Sequence, residues 1–172
     1  MIHWRSMPHP SPVVCLLAPA TRLSRHFTVA DLMHSDTAVR EHIDNRPGIH
    51  LQQNLHRLAS GLDTIIELLG YPLEISSAYR CAQLNARVGG VPDSQHTRGE
   101  AADFTCPNFG SAIEVSLALA RSSLAFDQCI LEFGRWVHVS FTEQPRRTTL
   151  TIRSAAEGYL AGIHGNEGLP FA

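Results

Sequence analysis

Cysteine is scarce in this chain, and the four present, Cys15, Cys81, Cys106 and Cys129, form no C-x-x-C pair and no spacing of a sulfur-ligated zinc site. Cys129 lies in the apolar run "CILEF", where a small buried thiol is the ordinary reading. A disulfide between two of the other three stays open. Charge is also sparse: only 17% of residues are Asp, Glu, Lys or Arg, the formal net charge is -2, and no cluster of basic residues offsets it. Nucleic acid and anionic lipid are therefore not expected as partners. No run approaches the ~20 apolar residues of a membrane span. What is abundant is apolar sequence, 44% of 172 residues, enough for one domain with a real core. Ten histidines are many for this length, but most stand singly in polar surroundings.

The chain divides into three stretches. Pro8, Pro10, Pro12 and Pro19 crowd residues 1–22, which carry no periodicity and read as an irregular leader. Within it, "PVVCLLAPA" has a faint likeness to a signal peptide, but its apolar part is short and broken by proline, so a flexible leader is expected. Residues 23–153 form the expected domain, and the Gly-rich residues 154–172 read as a loosely ordered tail.

Inside the domain, "TVAD" has the form of a capping box and predicts one helix from Thr28 to a stop at Pro47. Leu51, Leu55, Leu58, Leu62, Ile65, Ile66 and Leu69 recur at helical steps until Gly70 and Pro72. "LEISSAYR" and "EAADFT" read as strands, with a short helix over "CAQLNARV" between them. Ser111 and Glu114 open another capped helix. "FDQCILEF" and "WVHVSF" predict a hairpin around Gly134-Arg135, and "TTLTIRS" an edge strand. The sum is an α+β domain, a mostly antiparallel sheet flanked by helices.

One stretch stands apart. "SQHTRGEAADF" holds His96, Gly99 three residues on, and Asp103 seven residues after the histidine. A glycine turn can fold the chain back so that a loop histidine meets a carboxylate on the next strand, and Gly99 would carry no Cβ to obstruct them. Aspartate is disfavoured in strands and seldom buried alone, so Asp103 asks for a partner. A hydrolytic zinc site takes three protein ligands and keeps a position for water. His138 is the expected third ligand: alternation in "WVHVSF" puts it on one face with Trp136 and Ser140, opposite Val137, Val139 and Phe141.

Ser94, His96, Gly99, Ala101 and Asp103, followed by Trp136, His138 and Ser140, match the pattern S-x-H-x-x-G-x-A-x-D … W-x-H-x-S. In this the chain resembles the zinc D-alanyl-D-alanine carboxypeptidases, a family of D,D-carboxypeptidases, D,D-dipeptidases and phage endolysins, over roughly residues 23–142. The resemblance implies the hedgehog/DD-peptidase-like fold, one Zn2+ per chain on His96, Asp103 and His138, and hydrolysis of a peptidoglycan stem peptide or another D-Ala-terminated peptide. It also implies a monomer made in the cytoplasm and acting at the cell wall or periplasm. Arg80, after the aromatic Tyr79, would clamp the substrate's carboxylate, and Ser94 would bind substrate or orient the loop. Asp127 would hold a ligand's second ring nitrogen.

One departure matters. Many members carry an acid or histidine three residues before the last ligand; here that residue is Arg135, which is no base. The zinc-binding hedgehog domains are similar in another way, with F-D and then a glutamate six residues before the last histidine. Phe126, Asp127, Glu132 and His138 fit that arrangement. Glu132 is then the expected general base, on the condition that the hairpin turn has three residues, so that Glu132 pairs with Trp136 and faces with His138. The alternative is a zinc-stabilised wall- or protein-binding module with little or no hydrolysis.

Overall fold

The computed structural model describes residues 15–165; the expected leader before residue 15 and tail after residue 165 lie outside them. The elements are α1 (Val29–Met33), α2 (Asp36–Arg40), a 3-10 turn (Ile49–Leu51), α3 (Gln52–Leu69), β1 (Glu74–Ser77), α4 (Ala82–Arg87), β2 (Ala101–Thr105), α5 (Ala112–Arg121), β3 (Gln128–Glu132), β4 (Trp136–Ser140), β5 (Thr148–Ile152) and β6 (Tyr159–Ala161). The strands make one open sheet in the order β1-β2-β4-β3-β5-β6. Every pair is antiparallel except β3 with β5. The α+β architecture read from the sequence is the architecture of the protein.

Local chemistry accounts for the helices. On α3 the leucines at three- and four-residue steps bury one face completely, and Gly70 ends the helix in the left-handed conformation (φ 76°), its N–H bonded to Ile66 O. Glu114 accepts from the N–H and hydroxyl of Ser111 at 2.8 and 2.6 Å, which starts α5. The capping box of Thr28 and Asp31 is present, but the single helix expected from it is two. His34 turns extended (ψ 136°), and the Ser35 hydroxyl accepts from Ala38 N–H to cap α2 afresh.

α3 and α5 cover one face of the sheet. Leu55, Leu58, Leu62 and Ile65 meet Val115 and Leu119 and the sheet residues Phe104, Val137 and Val139, all fully buried. Each such side chain contributes about 1.5–3 kcal/mol by leaving water. The glycine inside α3 is a packing requirement: a Cβ on Gly61 would stand 2.4 Å from the Phe141 ring. The opposite sheet face carries the polar residues His138, Asp103 and Glu132 and is left open by the helices.

Two features depart from the sequence reading. β5 is an interior strand, because β6 pairs along its outer side and takes the edge. Near the start of the described chain, Leu17 is buried and its N–H bonds Pro47 O at 2.9 Å, while Leu16 bridges Gly48.

Candidate metal centre

Sheet register brings the first two residues of the site together. Asp103 on β2 pairs directly with His138 on β4, and partners in an antiparallel pair project to the same face. The third arrives from the loop before β2. There the Ser94 hydroxyl accepts from His96 N–H at 3.3 Å, the Gly99 N–H bonds His96 O, and Gly99 takes a φ of 67°. The glycine's purpose differs from the expected clearance between His96 and Asp103. A Cβ there would press on Leu55 of α3 at 3.1 Å, so the residue serves the left-handed turn and its packing on the helix.

His96, Asp103 and His138 are all buried. His138 Nδ1 lies 2.8 Å from Asp103 Oδ1, and His96 Nε2 lies 3.2 Å from both. Three ligand atoms, one from each residue, fall within 4.8 Å of one another. Their protonation follows from the surroundings. His96 Nδ1 is 2.6 Å from the carbonyl of Ala78, which only accepts, so that nitrogen carries the proton and Nε2 presents a lone pair. Burial holds His96 below the usual histidine range and therefore neutral. Burial alone would raise the Asp103 pKa, but the hydrogen bond from His138, the largest of the opposing influences, keeps the carboxyl ionised well below the usual range. A carboxylate oxygen and an imidazole lone pair thus face each other across 3.2 Å with one His138 proton between them. Two imidazole nitrogens and a carboxylate converging in this way are a donor set that suits a divalent cation such as zinc. The Ala78 carbonyl is the outer bond that fixes the His96 tautomer.

Asp127, expected in that outer role, is occupied elsewhere. Its carboxylate accepts from Arg146 Nε at 2.8 Å, Arg146 NH2 at 2.5 Å and Gln95 Nε2 at 2.9 Å, so it ties the segment after β4 to the loop that carries His96. The Arg146 guanidinium holds its pKa down to about 2. Because the folded pKa lies below the ordinary carboxylate value of ~3.9, this pair stabilises the protein above that pH and loses its effect as pH falls towards about 2. Asp127→Asn should destabilise the fold by about 1–3 kcal/mol at pH 7. The figure is less than for a fully buried pair because the Arg146 side chain is 60% exposed. Urea unfolding of both proteins checks it: the difference should shrink between pH 5 and pH 2.5.

Glu132 meets its geometric condition. The turn between β3 and β4 has three residues, with Phe133 and Gly134 both left-handed (φ 54° and 66°), and Glu132 pairs with Trp136. Ile130 pairs with His138, so Glu132 shares their face. Trp136 Nε1 donates to Glu132 Oε2 at 3.0 Å and fixes the carboxylate's direction. Burial, followed by the charge of Asp103, raises the Glu132 pKa above the usual range. Arg135, at the commoner base position, is exposed on the turn.

These groups open into one cleft of about 710 Å³, whose lining includes Ser94, Glu132 and Arg80. Arg80 sits on a loop stapled by Asn45, a buried residue with no signal in the sequence pattern. The Asn45 amide donates to Tyr79 O at 3.0 Å and to Met33 O, and its oxygen accepts from Cys81 N–H at 2.7 Å. Arg80's own Nε is buried with no hydrogen-bond partner among the described residues. A guanidinium is a planar, five-donor group whose fork matches a carboxylate, so an arginine with a free Nε at the cleft wall has the donors to bind one. All four cysteines are free thiols, and burial pushes Cys129 up to about 12.

A family model described as Peptidase M15 matches residues 25–140, more than half of the chain. No curated protein matches it.

Proposed function

The chain belongs to the M15 peptidase family, and on that premise we propose that it is a zinc-dependent peptidase cleaving a peptidoglycan stem-peptide bond next to a terminal D-alanine. His96, Asp103 and His138 would hold one Zn2+, Glu132 would be the general base and acid, and Arg80 and Ser94 would contact substrate. The observation that supports hydrolysis most is the company Glu132 keeps. A half-buried carboxylate, oriented by Trp136, shares one cleft with the His–Asp–His group and with Arg80, whose buried Nε has no partner among the described residues.

Zinc bound there supplies Lewis acidity, polarising the scissile carbonyl and making water acidic enough to lose a proton near neutral pH. The chain's own residues do the rest. Arg80 receives the terminal carboxylate in a two-point hydrogen bond, which sets the register of the peptide along the cleft. Glu132 takes the attacking water's proton on a carboxylate oxygen and returns it to the leaving amine. Its raised pKa suits both transfers. Trp136 keeps the carboxylate aimed through both. Ser94 braces the turn through its bond from His96 N–H.

The test is release of D-alanine from a stem pentapeptide ending in D-Ala-D-Ala, run beside cross-linked peptidoglycan and with a chelator control. Chelator-sensitive release of D-alanine supports a carboxypeptidase. Cleavage of the cross-linked wall alone moves the reading to an endopeptidase. Zinc-loaded protein that binds either substrate without cleaving it returns the protein to the binding-module reading.

A further inference from the structure

After residue 140, where the family match ends, the chain adds β5 and β6 to the sheet. Their register sets Glu132, Ile152 and Tyr159 in one row: Glu132 pairs with Ile152, and Ile152 pairs with Tyr159. Paired residues on neighbouring strands project to the same face, so Tyr159 rises from the face that carries Glu132 and His138. Strands are ~4.8 Å apart, which places the tyrosine two strands from Glu132, about 10 Å along the row. Tyr159 lines the same cleft as His96, Asp103 and His138 while staying 60% exposed.

The neighbouring side chains leave it a distinct task. Phe133 and Trp136 pack against each other at 5.4 Å between ring centroids and also line the cleft. Phe133 has no donor, and the Trp136 N–H is occupied by Glu132. The Tyr159 hydroxyl, by contrast, has no hydrogen-bond partner among the described residues. Burial and the charges of Glu132 and Asp103 raise its pKa, so it stays protonated and able to donate at neutral pH. Of the aromatic side chains in the cleft, it is the one with an available donor.

We propose that Tyr159 is a further substrate-binding residue, its ring packing on the bound peptide beside Glu132 and its hydroxyl donating to a backbone carbonyl of that peptide. The proposal rests on the cleft being the peptide site, but it assigns a role to a strand beyond the family match. It makes β6 part of the binding site and the segment after β4 a determinant of which peptides fit.

The experiment is calorimetric binding of a stem pentapeptide ending in D-Ala-D-Ala to zinc-loaded Glu132→Gln protein, which holds the peptide without turning it over. Adding Tyr159→Phe should weaken binding about three- to tenfold, and Tyr159→Ala should weaken it further by removing the ring. Zinc content and melting temperature should match the parent, since the side chain is largely exposed. Equal affinity in all three proteins would overturn the role of Tyr159 while leaving the cleft as the peptide site. Weakened binding accompanied by loss of zinc or of melting temperature in Tyr159→Phe would overturn it in favour of a structural role. Absence of peptide binding in every background would overturn the cleft reading and this proposal with it.

Discussion

Replacing Glu132 with glutamine is expected to lower kcat for stem-peptide cleavage by about 10²–10⁴-fold, the range a positioned acid–base group supplies, while zinc content and melting temperature stay those of the wild type. Glutamine keeps the shape of the side chain and an oxygen that can still accept from Trp136 Nε1, so the β3–β4 turn has no reason to rearrange. What it loses is the ability to take a proton. KM should change little, because Arg80, the residue proposed to hold the substrate's carboxylate, is untouched. Steady-state kinetics beside metal analysis decides the matter. A fall in kcat of less than tenfold would mean that the base is elsewhere. Among the described residues lining the cleft, the other carboxylates are Asp103, committed to the histidines, and Asp93, whose side chain is almost fully exposed and paired with Arg98.

His138→Ala should act on metal and fold together. An ion present at a thousand times its dissociation constant stabilises the native state by about 4 kcal/mol, which for a domain of this size is on the order of 10 °C in melting temperature. The variant loses that increment and about 1–3 kcal/mol more, since Asp103 is left buried without its closest hydrogen-bond partner. Thermal unfolding with and without chelator separates the two parts. Chelator should lower the wild type by the metal-linked increment and leave the variant where it is. If zinc content and melting temperature were both unchanged in His138→Ala, the residue would not be a ligand.

The parts of the fold set by local periodicity are legible in the sequence. α3 follows from its leucine spacing, α5 from its capping box, and the faces of β4 from strict alternation. Two residues of the candidate metal group are legible for a related reason: Asp103 and His138 inside strands are costly without partners, which narrows what they can be doing, whereas His96, in a loop, is marked by its spacing to Asp103 across Gly99 and by the S-x-H-x-x-G-x-A-x-D pattern. Glu132 was legible only conditionally, because a one-residue difference in turn length moves it to the other face of the sheet. Other features depend on tertiary placement and leave no local trace. Asn45 steadies the Arg80 loop from 35 residues away in sequence, Arg146 claims Asp127 across the hairpin, and Tyr159 reaches the cleft because β6 pairs outside β5. The break at His34 was hidden because a second cap, Ser35, sits inside an otherwise helical pattern. The neighbour that makes Gly99 necessary, Leu55 on α3, lies far off in sequence and leaves no local trace.

The most direct measurement is a zinc titration of chelator-treated protein, following D-alanine release from the stem pentapeptide at each addition. Release that is absent at the start, rises linearly and breaks at one zinc per chain is the predicted result. Release that is full before any zinc is added, or that never appears on either soluble or cross-linked substrate once the protein holds one zinc, would contradict a zinc peptidase built on His96, Asp103 and His138.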